Sequence, residues 1–277
     1  MKFHKVLNLN NINGTALIFV ALMITGCSDL IRNKTTLRIN EIKSQKQIIK
    51  LYSKELFKKP NNIKLNFDRG FARYEYGNYE GAINDFNKAF EISNDLSILY
   101  SRAITKYDYG DYDGALDDYK RLLITPGLSK EIYLDIGLIN FHIFNYQSAL
   151  LNLNKVIAEG QFDYEHFLFR GNANFRLKNY KAAKKDFNNS INLYNKYYLT
   201  FNNRGVINFK EGNYYKSLRD FNKSLKLNPG NYNTLYNRAL TYSKLNLNKK
   251  ACIDLKKSIK LGKDVFKEVF NFICNKV

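Results

Sequence analysis

The sequence predicts an all-α protein, an α-solenoid of about six helix-turn-helix repeats that ends in a capping helix. A small residue recurs ahead of an apolar helical pattern, with steps of 33, 34, 34, 34 and 34 residues, at Ala82, Ala115, Ala149, Ala183, Ser217 and Ala251. Each of these positions has a Gly or Ala twelve residues before it and a Phe, Tyr or Leu four residues after it. Gly or Asn lies between the two halves of each repeat, where it can end one helix and cap the next.

The N-terminal residues predict export. Two lysines precede the apolar run Ala16–Ile24, which at nine residues is too short to span a bilayer, so we interpret residues 1–26 as a signal peptide. The tetrapeptide Ile24-Thr25-Gly26-Cys27 at its end resembles the bacterial lipobox. The resemblance implies that Cys27 is lipidated and becomes the first residue of the mature chain. The alternative is an unmodified cysteine at the end of an ordinary signal sequence.

The lipobox resemblance also implies a location. Ser28 follows the cysteine, where an aspartate would direct a lipoprotein of enteric bacteria to the inner membrane. We therefore expect a lipid-anchored protein of the cell envelope, on the outer membrane rather than the inner one. Residues 27–44 are predicted as a lipidated N terminus and linker, and residues 45–62 as half of a degenerate repeat that covers the first face of the array.

The excess of positive charge indicates which classes of partner the protein could bind. The chain has 44 Lys and Arg against 25 Asp and Glu, which suits nucleic acid, anionic lipid or acidic protein. Because the N terminus predicts export, we expect no nucleic-acid partner. Three cysteines are too few for a disulfide scaffold and lack the paired spacing of a zinc site, so we expect no metal.

Six repeats occupy residues 63–262. Their small residues and their aromatic residues, at a 34-residue period, resemble tetratricopeptide repeats. The resemblance implies a right-handed solenoid in which the two antiparallel helices of a repeat approach closely at positions 8 and 20 of the repeat, beside the side chain of position 24. Position 20 is the recurring small residue that begins with Ala82, position 8 lies twelve residues before it, and position 24 lies four residues after it. In one departure, position 11 is polar in five repeats, where the family has a bulky residue, and aromatic side chains occupy position 12 instead: the polar residues are Arg73, Lys106, Asn140, Asn174 and Asn208.

Position 7 is Arg and position 23 is Asp in five of the six repeats. The repeat that has Ile136 in place of the arginine also has Asn152 in place of the aspartate. This correlation predicts structural ion pairs, because a guanidinium group can bind a carboxylate through two hydrogen bonds. A row of free arginines that binds phosphate is the alternative. The predicted pairs are Arg69 with Asp85, Arg102 with Asp118, Arg170 with Asp186, Arg204 with Asp220, and Arg238 with Asp254.

The resemblance implies that the first helix of each repeat lines a concave, partner-binding groove. The predicted groove residues are Phe67, Phe71, Tyr74, Tyr100, Tyr107, Leu138, Phe141, Phe175, Arg176, Phe209, Lys210, Tyr236 and Lys244. Such an apolar stripe suits a peptide or a partner helix. The alternative for the position 12 aromatics is packing between repeats as core.

Position 13 predicts a groove that is acidic at one end and basic at the other. It is Glu75, Asp108, His142, Arg176, Lys210 and Lys244 in successive repeats. A charge gradient of this kind can orient a bound segment. A chance order of surface charges is the alternative.

After the sixth repeat, residues 263–277 carry apolar side chains at helical spacing and predict a capping helix. Cys252 lies on the preceding helix, and an exported, oxidising location would permit a disulfide between Cys252 and Cys274. Two reduced, buried thiols are the alternative.

The sequence predicts a binding protein and no enzyme. It has no nucleophile elbow, phosphate loop or paired metal-ligand spacing, and we expect no cofactor. The leading interpretation is a membrane-anchored scaffold of the bacterial envelope that binds a protein or peptide. One alternative is an accessory lipoprotein of outer-membrane, secretin or pilus assembly. Another is a protein that binds anionic envelope glycan or lipopolysaccharide through its positive charge.

Overall fold

The computed structural model describes residues 30–124, 129–158, 160, 163–261 and 267–275. Every regular element in these ranges is a helix. The predicted signal peptide and Cys27 lie outside the described residues. The chain divides into two compact units, one that ends at Ile98 and one that begins at Leu99.

Fourteen helices are described, and they alternate between the first and second helices of successive repeats after α1. They are α1 (Leu30–Lys58), α2 (Ile63–Tyr76), α3 (Tyr79–Ser93), α4 (Leu96–Tyr109), α5 (Tyr112–Leu122), α6 (Ser129–His142), α7 (Tyr146–Ala158), α8 (Tyr164–Arg176), α9 (Tyr180–Leu193), α10 (Tyr198–Lys210), α11 (Tyr214–Leu227), α12 (Tyr232–Lys244), α13 (Asn248–Lys260) and α14 (Lys267–Cys274). The last of them lies within the predicted capping segment.

Helix α1 differs from the sequence prediction of a linker followed by half a repeat. One helix runs from Leu30 to Lys58, across the predicted boundary at residue 44. This stretch contains neither Gly nor Pro, so nothing in it breaks a helix before Pro60. Within the first unit α1 packs on α2, where Arg69 Nη1 donates to Ser53 Oγ at 3.2 Å.

The turn inside each repeat has one residue in the left-handed region of backbone conformation. At three turns it is a glycine, and at the other three it is a residue with a side chain, whose φ is 58° to 64°. The residues are Gly77, Gly110, Phe144, Lys178, Gly212 and Asn246. The next helix is capped in three of these turns by an Asn or Asp side chain, as Asn78 accepts from Gly81 N, Asp111 accepts from Gly114 N and Asn145 accepts from Ser148 N.

The two helices of a repeat meet where small residues face a large one. The six position 20 residues are fully buried, and the position 24 side chains are at most 2% exposed. A Cβ atom added to Gly171 would come within 2.7 Å of Phe187, and one added to Gly205 would come equally close to Phe221. Glycine is therefore required at these two sites because the facing ring leaves no room for a side chain.

In the second unit, each helix from α5 to α13 contacts the helix that follows it. The first helices of neighbouring repeats also touch, since α6 contacts α8 and α10 contacts α12. This sequential packing is that of an α-solenoid, so the predicted all-α fold of helix-turn-helix repeats is confirmed. Among the described residues, no helix combines the length and apolarity that a membrane-spanning segment needs.

Candidate functional site

The arginine and aspartate columns form paired hydrogen bonds inside the repeats. In all five predicted pairs Nε and Nη2 of the arginine donate to the carboxylate on the second helix. In the last pair Arg238 Nε lies 2.7 Å from Asp254 Oδ2, and Arg238 Nη2 lies 2.8 Å from Asp254 Oδ1. The five aspartates are buried. These arginines are thus engaged within the chain, and the two-bond geometry fixes the register of the helices.

In four repeats the polar residue at position 11 completes the same network, whereas Asn140 in the third repeat bonds its own helix. Asn174 Nδ2 donates to Asp186 Oδ2 at 3.0 Å, and Asn208 Nδ2 donates to Asp220 Oδ2 at 2.9 Å. In the first repeat Arg73 Nη1 takes this place, 2.8 Å from Asp85 Oδ2. The departure from the family pattern at position 11 therefore has a structural reason in these repeats, because the buried carboxylate gains a further donor on the first helix.

A third column extends the network to the preceding repeat. The remaining arginine nitrogen, Nη1, donates to an asparagine sixteen residues earlier in the last three repeats. The bonds are Arg170 to Asn154 at 3.1 Å, Arg204 to Asn188 at 2.9 Å, and Arg238 to Asn222 at 2.8 Å. Each of these arginines thus bridges the second helices of two neighbouring repeats.

The aromatic side chains at position 12 are half-buried. Their exposure is therefore intermediate between that of an open groove and that of a closed core. Each ring packs against the tyrosine five residues later, at the start of the second helix, with ring centroids 5.3 to 5.7 Å apart. The pairs are Tyr74–Tyr79, Tyr107–Tyr112, Phe141–Tyr146, Phe175–Tyr180 and Phe209–Tyr214. Burial raises the pKa of the Tyr107 phenol, and neighbouring Tyr112 raises it further.

The charged residues at position 13 are exposed at the ends of the first helices. His142 packs on the ring pair of the preceding repeat, 5.6 Å from Tyr107 and 6.2 Å from Tyr112. Arg176 holds its guanidinium group 6.0 Å from the ring of Tyr146. We call positions 12 and 13 of α4, α6, α8, α10 and α12 the first-helix face.

Hydrogen bonds hold the first helices of the second unit side by side. Tyr100 Oη donates to Asp135 Oδ2 at 3.0 Å, which joins α4 to α6. Asn203 Nδ2 donates to Asn172 Oδ1 at 2.8 Å, which joins α10 to α8. The charges of the first-helix face therefore follow one another in a fixed order, from Asp108 to Lys244.

Two predicted groove residues of the second unit have other roles. Leu138 is only 4% exposed, so its assignment to the groove is wrong; it is a core residue on α6. Tyr100 is half-buried and packs edge-on against Tyr119, with ring centroids 5.9 Å apart, in addition to its bond with Asp135. Both side chains serve packing because the helix turns them toward neighbouring helices.

The other predicted groove residues vary in exposure. In the first unit Phe71 is exposed, whereas Phe67 packs against Phe86 at a centroid distance of 5.6 Å. In the second unit Tyr236 packs on the apolar cluster of the last repeat. Lys210 and Lys244 are exposed.

The last repeat is closed by helix α14. Ile273 is buried against Ala239, Ala251 and Leu255, and the structure has a disulfide between Cys252 and Cys274. The bond spans 22 residues, and closing a loop of this length stabilises a folded chain by about 3 kcal/mol. The disulfide therefore holds the cap on the apolar end of the array.

The described residues contain no group of three or more His, Cys, Asp or Glu side chains placed to hold a metal ion. His166 has a structural contact instead, because its Nδ1 accepts a hydrogen bond from Asp163 N at 2.9 Å. This bond helps to cap α8.

Sequence reasoning missed two columns that matter here. The position 17 tyrosines complete the aromatic pairs, and the position 25 asparagines accept the third arginine bond. Both columns repeat at 34 residues, so the period could have revealed them. Their partners could not be inferred, because the contacts join different helices.

Two protein-family models, each described as a tetratricopeptide repeat, match residues 198–231 and 232–264. The search of curated proteins found no match.

Solved structures are similar over most of the chain. A tetratricopeptide repeat protein from Parabacteroides merdae is 20% identical with a TM-score of 0.63, over 88% of this chain and 96% of that one. The C-terminal part of a repeat protein from Cytophaga hutchinsonii is 19% identical with a TM-score of 0.65, over 84% and 95%. YrrB, described as a TPR protein with an unusual peptide-binding site, is 21% identical with a TM-score of 0.56, over 69% and 98%. These likenesses concern the fold, and the family models identify tetratricopeptide repeats within residues 198–264.

Proposed function

We propose that this protein is a membrane-anchored interaction scaffold of the bacterial cell envelope, which binds a peptide segment of a partner protein on its first-helix face. The observation that carries the proposal is the column of exposed polar side chains beside half-buried aromatic rings, which runs from acidic Asp108 through His142 to basic Arg176, Lys210 and Lys244. Ring faces and edges offer apolar contacts, and the charges fix the direction of the bound chain.

The expected ligand follows from that order of charges. Three successive repeats end their first helices with Arg176, Lys210 and Lys244, whereas Asp108 lies at the other end of the column. A segment with apolar side chains at intervals and acidic residues toward one end would match this surface. YrrB, whose fold is similar to this one, is described as a TPR protein with an unusual peptide-binding site, which supports the class of ligand.

A random-peptide selection tests the site. We expect the full chain to enrich peptides that carry Asp or Glu near one end, and the double variant Lys210→Glu, Lys244→Glu to enrich Lys or Arg there instead. Lys120→Glu on α5, which is exposed and away from the first-helix face, provides a control that should select the same peptides as the unmodified chain. Identical selections from all three proteins would contradict the proposed site.

Anchoring has its own test. The proposal places lipid on Cys27, supported by the lipobox pattern that precedes it. Growth of expressing bacteria with a labelled fatty acid should label the chain, and Cys27→Ser should abolish the label and release the protein from the membrane fraction. A label that persists in Cys27→Ser would exclude this anchor while leaving the peptide site untested by that result alone.

A further inference from the structure

Three neighbouring second helices carry positive charge almost exclusively. Helices α9, α11 and α13 contain twelve Lys and Arg residues and three aspartates. Eleven of the twelve cations are exposed. They form what we call the basic face: Lys181, Lys185, Lys216, Arg219, Lys223, Lys226, Lys249, Lys250, Lys256, Lys257 and Lys260.

The three aspartates do not offset this charge at the surface. Asp186, Asp220 and Asp254 are buried, and each is bound by an arginine of the first helix in its own repeat. The arginine network thus takes up every acid that these helices contain. The charges that remain exposed on them are all positive.

Other second helices of the same unit lack this excess. On α5 two exposed acids, Asp113 and Asp117, balance Lys120 and Arg121. Helix α7 carries one charged residue, Lys155. The positive charge is therefore a property of the last three repeats and does not follow from the repeat pattern itself.

The structure places cations of α9 and α11 around one opening. A cleft of about 300 Å³ is lined by Lys184, Arg204, Lys216, Arg219 and Asp220, among others. Lys184 Nζ donates to Glu211 Oε2 at 2.6 Å, and this hydrogen bond lowers the pKa of Glu211. Half-buried Lys184 of α9 thus lies at the same opening as the exposed Lys216 and Arg219 of α11, which brings positive charge of the two helices together.

Large apolar side chains stand among these cations. Tyr215 is 74% exposed and lies one helical turn before Arg219. Ile253 is 68% exposed, with Lys249 one turn before it and Lys257 one turn after it. Residues four apart share a face of a helix, so each apolar tip is flanked by positive charge.

We propose that the basic face docks on the surface of an anionic membrane. Ten of its eleven cations are lysines, point charges that suit a diffuse layer of headgroups, whereas specific phosphate recognition favours arginine. The exposed tips of Tyr215 and Ile253 can enter the boundary between headgroups and acyl chains, a gain that a soluble polyanion does not offer.

Sedimentation with lipid vesicles tests this surface. The full chain with Cys27→Ser is mixed with vesicles of phosphatidylcholine alone or with added phosphatidylglycerol. Binding to the neutral vesicles measures the contribution of the apolar run Ala16–Ile24, which every variant shares. We expect the anionic lipid to strengthen binding, and salt to reverse that gain as it screens the charges.

The test variant removes one cation from each helix of the basic face. It is Lys185→Gln, Arg219→Gln and Lys257→Gln. Each cation near an anionic surface contributes about fivefold to binding, so we expect the gain from anionic lipid to fall about 100-fold. Melting followed by circular dichroism verifies that the variant folds.

A matched variant removes the same charges from the other second helices. It is Lys120→Gln, Arg121→Gln and Lys155→Gln, again two lysines and one arginine. We expect it to keep nearly all of the gain from anionic lipid. Equal losses in the two triple variants would overturn the proposal, because they would show that total charge alone determines binding.

A second pair of measurements separates a membrane from an anionic polymer. Tyr215→Ser with Ile253→Ser should weaken binding to anionic vesicles several-fold and leave binding to soluble heparin unchanged. Strong binding to heparin, with no increase in vesicle binding when phosphatidylglycerol is added, would refute the inference. It would identify an anionic polymer as the ligand of this surface. Equal binding to neutral and anionic vesicles would refute it as well.

Discussion

The third and fourth repeats bring their two helices together at the same positions, yet they use different chemistry. In the fourth repeat Arg170 and Asn174 on α8 bind the buried carboxylate of Asp186 on α9. In the third repeat Ile136 is buried at the arginine position. The two amides there turn back to their own helices, as Asn140 donates to Ile136 O at 2.8 Å and Asn152 donates to Ser148 O at 2.8 Å.

The difference shows that the ionic network is not required for a repeat to fold. An apolar side chain replaces the guanidinium group, and neither amide is left without a partner. Buried ion pairs often add little stability relative to an apolar replacement, whereas loss of one partner is costly. We infer that the network mainly fixes helix register, and that its members act as a unit within each repeat.

The largest effect on stability is expected when only the arginine of an ion pair is introduced into the third repeat. Ile136→Arg would bury a guanidinium group without a carboxylate and should lower the free energy of unfolding by about 3 kcal/mol. Adding Asn152→Asp should recover most of the loss, because the pair is then complete. Urea denaturation measures both changes, and an equal stability of the single and double variants would count against the comparison.

An intermediate effect is expected where position 11 supports the carboxylate. Asn174→Ala removes a hydrogen bond to the charged Asp186, which should cost about 2 kcal/mol, whereas Asn140→Ala removes a bond to a backbone carbonyl and should cost about 1 kcal/mol. Both asparagines are buried, so the two variants are matched in burial. A larger loss for Asn140→Ala in the same denaturation experiment would reverse the assignment.

The smallest effect is expected at the link between repeats. Asn188→Ala removes the acceptor of Arg204 Nη1, but the site is exposed, so the loss should be about 0.5 kcal/mol. Asn192→Ala on the same helix, also exposed, is the control and should leave stability within error. Hydrogen exchange of α9 and α11 can detect a local effect of this size. Equal exchange in the two variants would argue that Asn188 has no linking role.

The repeat pattern could be predicted because it depends on local periodicity. The small residues of positions 8 and 20 and the large ones of position 24 lie where the sequence placed them, and Gly171 faces Phe187 closely enough to exclude a side chain. The pairing of Arg170 with Asp186 was suggested by the joint absence of both in the third repeat.

The contacts that the sequence did not predict join residues of different columns. Leu138 follows the groove pattern of the family but is buried, because its exposure depends on neighbouring helices. The half-buried position of Phe175 depends on Tyr180, five residues later on the next helix, so periodicity alone cannot decide between groove and core. The basic face could not be predicted, because the excess of exposed positive charge depends on the burial of Asp186, Asp220 and Asp254.

A double-mutant cycle at Arg170 and Asp186 tests the central claim most directly, since it asks whether the two columns act as one structural unit. Asp186→Asn alone should cost about 2 to 3 kcal/mol, because it leaves a largely buried guanidinium group unpaired. Arg170→Ile with Asp186→Asn copies the third repeat and should cost less than the single change. Asp117→Asn, at an exposed site on α5, should change little and is the control. The cycle is completed by Arg170→Ile alone. If the loss of the double variant equalled the sum of the losses of Arg170→Ile and Asp186→Asn, the account would be contradicted, because additive losses mean that the two residues act independently.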